Sequence, residues 1–134
     1  VMIYAQPGSE DAFVKFKSDY DNFIGGEWVY PTGGVYLDNI SPFNGQVYCN
    51  VARSGEADIN LAFDAAHNIK AKWATTSVTE RSNILLKIED RIEQHLEKLA
   101  FAETWENGKP AREAFAADLP LVVAHFRFFA GLFP

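Results

Sequence analysis

Leu119–Pro134 reads LPLVVAHFRFFAGLFP, a helix-forming stretch whose only permanently charged side chain is Arg127. The run is apolar on nearly every side, and such a helix needs protein or lipid around it. Lipid is the poorer fit. His125 and Arg127 interrupt the run, Pro120 sits near its start, and it is shorter than the roughly 20 apolar residues that span a bilayer. Protein cover is therefore expected, so the chain reads as a piece of a larger fold. The helix should run to about Ala130, with Gly131 ending it.

Upstream, Asp118 is a candidate cap and Pro120 is tolerated in the first turn that follows. A break is therefore expected near Asp118, after a short helical piece over Ala111–Ala117. Asn107-Gly108 stops the preceding helix, and Pro110 can start the next. Ser77-Val78-Thr79-Glu80 is a capping box, in which the serine oxygen accepts an amide proton. It opens a stretch with Leu85, Ile88, Ile92, Leu96 and Leu99 on one face, and periodicity alone permits a single helix to Glu106. An earlier helix is expected to start at a Ser54 cap, with Glu56 and Asp58 in its first turn. Its stripe of Ile59, Ala62, Ala66, Ile69 and Trp73 is expected against the core.

From Asp21 to Ala52 the period changes to two. Phe23-Ile24 and Trp28-Val29 flank Gly25-Gly26-Glu27, a tight turn in which glycine adopts positive φ without a Cβ penalty. Val35–Ile40 and Gln46–Ala52 read as strands joined through Pro42-Phe43-Asn44-Gly45. Residues 1–20 form an irregular lead in which Phe13 and Phe16 could dock as a short amphipathic turn. The expected fold class is thus an α/β fragment, a small antiparallel N-terminal sheet followed by four or five helices, and not an autonomous Rossmann domain.

The chain has 134 residues, 48% of them hydrophobic and 14% aromatic, which suits one folded domain and argues against disorder. A net charge of −6 with no basic patch opposes nucleic-acid binding. Cys49 is the single cysteine, which excludes an intrachain disulfide and suits a reducing compartment. VMIYAQPGSEDAF lacks the basic-then-apolar pattern of an export signal, so cytoplasmic residence is expected.

The residues offer little chemistry on their own terms. Cys49 lies in an expected strand with no helix N-terminus beginning at it to lower its pKa, so it reads as a structural thiol. His67, His95 and His125 pair with no nucleophile or carboxylate at a diagnostic spacing. The acidic residues, Asp58, Glu89 and the Glu103/Glu106 pair among them, read as solvated helix surface. Gly25-Gly26 and Gly33-Gly34 do not form a phosphate-cradling fingerprint, which needs glycines between a strand and a helix. Trp28, Trp73, Trp105, Phe126 and Phe129 read as packing residues.

Taken in order, DNFIGGEWV (Asp21–Val29), NISPFNGQVYCNVA (Asn39–Ala52), AFDAAHNIKAKWA (Ala62–Ala74), ERSNILLKIEDRIEQHLEKLAFAETWENGKP (Glu80–Pro110) and ADLPLVVAHFRFFAG (Ala117–Gly131) resemble the N-terminal part of the NAD(P)-dependent aldehyde dehydrogenase superfamily. The resemblance implies that residues 21–134 are an incomplete N-terminal part of that family's NAD(P)-binding domain. It also implies a helix break near Gln94-His95.

In the family a cysteine thiolate attacks the aldehyde, the thiohemiacetal passes hydride to NAD or NADP, and a carboxylate helps water release the acid. The residues for these steps lie downstream of the matched segments, so no catalytic or cofactor-binding residue is assigned to this chain, and the chain alone is expected to be inactive. Two pairs of positions carry over. Ile40, through its carbonyl, and Glu106 match a structural sodium or potassium site, although many members carry Asp at the second position. Ala117 and Leu121 match the wall of the substrate entrance. The implied partners are the remainder of an aldehyde dehydrogenase chain, a small aldehyde and further copies in a homo-oligomer, with neither nucleic acid nor membrane. The competing expectation is a non-enzymatic interaction or regulatory module that binds through the apolar terminal helix.

Overall fold

The computed structural model describes residue 7 and residues 9–132. The first six residues and Gly8 of the lead, and Phe133 and Pro134 of the apolar stretch, lie outside them. The chain divides into two compact units, one of residues 1–40 and 45–75, the other of residues 41–44 and 76–134.

The first unit is built on short strands. β2 (Asn22–Ile24) and β3 (Glu27–Val29) form an antiparallel hairpin in which Ile24 faces Glu27. Gly25 and Gly26 have φ of 64° and 92°, the double positive φ of a two-residue turn whose twist matches its strands. β4 (Tyr36–Ile40) and β5 (Val47–Ala52) are antiparallel, as the alternation predicts, with an irregularity between Asn39 and Ile40. β1 (Asp19–Tyr20), which the sequence pattern does not reveal, adds in parallel to β5 and gives the order β1-β5-β4. Among the described residues of the lead, Ala12 and Val14 are buried, whereas Phe13 is about half exposed. Phe16 packs edge-on against Tyr48, their ring centroids 4.9 Å apart.

α1 (Glu56–Thr75) follows β5. Its expected stripe is not buried in this chain: Ile59, Ile69 and Trp73 are 50%, 51% and 46% exposed. The short β2–β3 hairpin meets only part of the face, where Ala62, Ala65, Ala66 and Ile69 border a shallow cleft with Phe23 and Ile24. Ser54 is not the cap either. Its hydroxyl donates to Asn22 at 2.8 Å, and the amide of Gly55 is taken by Asp58.

The second unit is helical. α2 (Val78–Gln94) starts at Ser77, whose Oγ accepts the Glu80 amide at 3.1 Å. α3 (Leu96–Asn107) follows His95, so the break implied by the family resemblance is present. Gly108, at φ 79°, ends α3 in the left-handed region. A Cβ there would lie 3.1 Å from Pro42 Cγ, so both the backbone and the close approach select glycine.

The core of this unit centres on α3, with Ala100, Phe101 and Trp105 at 2–3% exposure. Ser41, fully buried, donates to the Trp105 carbonyl at 2.7 Å, and Phe43 packs on the Trp105 ring. Trp28 and Trp73, by contrast, are largely exposed. Trp28 lies under the Lys17 ammonium, 4.8 Å from its ring centroid.

α4 (Ala111–Glu113), a π-helical turn (Ala114–Asp118) and α5 (Leu119–Ala130) form one run of right-handed helix. The expected break at Asp118 is therefore a widened turn. Asp118 is itself helical, at φ −67° and ψ −52°, and makes no side-chain cap. Proline at position 120 has no amide to donate, and its ring would collide with the carbonyl four residues back in a uniform α-helix. The ladder instead lengthens just before it, with the Leu119 amide bonding the Ala114 carbonyl five residues back.

α5 packs on α2, and its buried residues are Val123 and Ala130, at 5% and 4% exposure, while Leu121, Phe128 and Phe129 stay largely exposed. Two polar contacts join these helices: the Ser82 hydroxyl donates to the Ala130 carbonyl, and Arg127 pairs with Glu89. Glu89 is thus not solvated surface but 3% exposed. Of the expected apolar stripe of α2 and α3, Ile88, Ile92 and Leu99 line an open groove, together with Ile84, which the stripe did not include.

Candidate functional site

Of the two positions that the family resemblance assigns to an entrance wall, one falls inside the helical irregularity and the other just after it. Ala117 lies within the widened turn and Leu121 in the first turn of α5, and both are exposed, Leu121 at 56%. The turn is held from several directions. Ala114, its first residue, is completely buried, and the Pro110 carbonyl accepts from the amides of Glu113 and Ala114. Lys109 reaches forward to form an ion pair with Asp118, and that hydrogen bond raises the lysine pKa. Pattern reading missed both the pair and the turn. The available signal was a proline two residues after Asp118 in a run with no glycine to end the helix.

The proposed cation ligands belong to different units. Ile40 closes β4, where the pairing skips from Asn39–Cys49 to Ile40–Val47, and Glu106 is an exposed residue near the end of α3. Among the described residues, no group of three or more His, Cys, Asp or Glu side chains is placed to hold a metal ion.

The residues present do not fit the family's dinucleotide. Gly25-Gly26 makes a hairpin turn, and Gly33-Gly34 leads into β4. One strand–loop–helix passage is described, β5 to α1, and there the chain's own carboxylate occupies the place an anion would take. Asp58, 3% exposed, accepts from the Gly55 amide at 2.8 Å and from the Thr32 amide and hydroxyl at 2.7 Å each. These bonds, that from Gly55 foremost, hold its pKa below the ordinary 3.8. Its charged form is the one the fold binds. The stabilisation is therefore complete above about pH 4 and is lost as the pH falls through the lowered pKa. Asp58→Asn is expected to lower the urea midpoint at pH 7 and to flatten its decline below about pH 4. Acid limbs of equal slope in the two proteins would refute this role.

The other sequence candidates are dispersed. Cys49 is buried at 5% exposure within β5. His67 is exposed with Nδ1 against the Phe63 carbonyl at 2.8 Å, His95 occupies the α2–α3 junction, and His125 is exposed on α5. Tyr36 hydrogen-bonds to Asp21, which pushes its hydroxyl pKa up to about 12, so it does not ionise near neutrality. No helix of the described residues is long and apolar enough to cross a membrane.

The aldehyde dehydrogenase family profile matches residues 28–134. An aldehyde dehydrogenase of Deinococcus radiodurans is 62% identical over 128 residues, which is 96% of this chain and 25% of that protein. Among solved structures, a putative aldehyde dehydrogenase from Burkholderia cenocepacia superposes with a TM-score of 0.83 at 34% identity, covering 84% of this chain and 23% of that one. The NAD+ complex of an aldehyde dehydrogenase from Bacillus cereus gives 0.81 at 34% identity over the same shares. The chain thus spans about a quarter of the length of the relatives it matches, and corresponds to an N-terminal portion of them. With the hairpin, the mixed sheet and the helical series in place, the matched profile shows that this chain belongs to the aldehyde dehydrogenase family.

Proposed function

We propose that this chain is the N-terminal portion of an enzyme that oxidises an aldehyde to a carboxylic acid with NAD or NADP, through a cysteine thiohemiacetal formed outside these residues. The observation that carries the reading is the family match across residues 28–134. Bound NAD(P) would accept the hydride, and the groups that hold it belong to the rest of the protein. The part assigned to this chain is scaffold, with Ala117 and Leu121 forming one apolar wall of the aldehyde entrance. Ile40 and Glu106 are assigned, on family resemblance, to a structural sodium or potassium ion. The enzyme is placed in the cytoplasm as a homo-oligomer, and residues 1–20 are read as a lead to the cofactor-binding domain.

The test is NAD(P)H formation from aldehydes by the full-length protein and, separately, by residues 1–134. Turnover by the first and none by the second is the expected result. Thiol-dependent turnover by the short chain that vanishes on replacing Cys49 would overturn the division of labour. No turnover by the full-length protein with any aldehyde would favour a binding module that uses α5. Repeating thermal unfolding in potassium, sodium and choline salts tests the ion, and equal midpoints in all three would remove it.

A further inference from the structure

The turn at Ala114–Asp118 is clamped at both ends. Upstream, Ala114 is completely buried, and the end of α3 is held by the Ser41 hydroxyl on the Trp105 carbonyl, with Pro42 leaving no room for a side chain at Gly108. Downstream, α5 is tied to α2 by Arg127–Glu89 and by Ser82 on the Ala130 carbonyl. Between the clamps, the helix completes its rotation with a five-residue hydrogen-bond step at Leu119–Ala114 in place of the four-residue step.

A uniform α-helix places residues four apart about 40° from each other around its axis. A widened turn rotates the chain less per residue, so it alters the angle at which Ala117 projects relative to Leu121. Two features hold this geometry in place. Pro120 cannot take part in an α-ladder to its preceding turn, and Lys109 bridges to Asp118, the last residue of the turn.

We infer that Pro120 and the Lys109–Asp118 pair are positioning residues that hold the widened turn, and so set the spacing between Ala117 and Leu121 that selects aldehydes by size. The inference rests on the reading of those two positions as the entrance wall. Neither Pro120 nor Lys109 need touch the aldehyde. Each acts through the backbone that carries Ala117. Substituting either residue should change discrimination between substrates, not the chemical step.

The experiment uses the full-length enzyme, with steady-state kinetics on straight-chain aldehydes from two to ten carbons, for wild type, Pro120→Ala and Lys109→Met. The long-to-short ratio of kcat/KM is expected to shift about tenfold, the scale at which a pocket discriminates a methylene or two, through KM and with kcat on the shortest aldehyde little changed. A crystal structure of Pro120→Ala should show the Leu119 amide moved to the Phe115 carbonyl. Lys109→Met, which keeps the proline and the side-chain bulk, serves if Pro120→Ala does not fold. An active wild type whose chain-length profile both folded variants share overturns the inference and leaves the enzyme reading intact. A wild type inactive on every aldehyde instead overturns the enzyme reading and the inference with it.

Discussion

Trp105→Ala should destabilise the helical unit by about 3–5 kcal/mol, the usual cost of emptying a buried aromatic site. Trp105 is 3% exposed, and its ring meets Phe43 at 5.0 Å and Phe101 at 6.3 Å between centroids. Its carbonyl also anchors the fully buried Ser41 hydroxyl, so movement of α3 into the cavity would strain a hydrogen bond that solvent cannot replace. The surroundings therefore have little room to relax, which puts the effect toward the upper part of the range. Trp28→Ala is the control: that ring is 58% exposed and should cost under about 1 kcal/mol. Urea midpoints for the two variants provide the comparison. Equal shifts would show that α3 is not the centre of its unit.

Arg127→Ala is expected to cost about 2–3 kcal/mol, because it leaves the Glu89 carboxylate enclosed between α2 and α5 without its counter-charge. The figure lies below that for a fully enclosed pair because the Arg127 side chain is 59% exposed whereas that of Glu89 is 4% exposed. Glu93, 4.0 Å from the same guanidinium and 60% exposed, is a surface partner. Glu93→Ala should therefore change stability by no more than about 0.5 kcal/mol, and that change should shrink in salt. Glu89→Leu with Arg127→Met should recover most of the loss, since an apolar pair removes the buried charge as well as its partner. A double-mutant cycle on guanidinium midpoints measures the coupling. A coupling for Glu89 no larger than that for Glu93 would reject the pairing as a tie between the helices.

The elements legible in the sequence were those governed by neighbours in the chain. Gly25-Gly26, Ser77 before Glu80, and Asn107-Gly108 act within a few residues, and each stands where the local chemistry requires. Three features were not legible for a shared reason, since pattern reading assigns charge to solvent and proline to a break. Asp58 and Glu89 are instead buried, and partners distant in sequence, Thr32 and Arg127, bond to them, for Asp58 beside the nearby Gly55 amide. Pro120 is absorbed into a continuous run because anchors on both sides hold the helix together around it. The His95 junction is a further case: both helices share one apolar period, so periodicity carries no mark there, and only the family resemblance did. Of the candidate site, Ala117 and Leu121 were assigned by that resemblance, while the widened turn between Ala114 and Asp118 left no mark in the pattern.

The two-residue strand β1 bears on the order in which the polypeptide assembles. The Asn50 amide bonds the Ser18 carbonyl at 2.7 Å, and Asn50 reaches Asp19 across 31 positions. β4 and β5, joined by a short loop, can zip together at once, whereas Asp19–Tyr20 has no edge to join until β5 exists. During synthesis those residues leave the ribosome first and dock among the last of the sheet, after a loop closure whose entropy the hairpin does not share. A nascent chain halted before Asn50 would therefore hold Asp19–Tyr20 undocked.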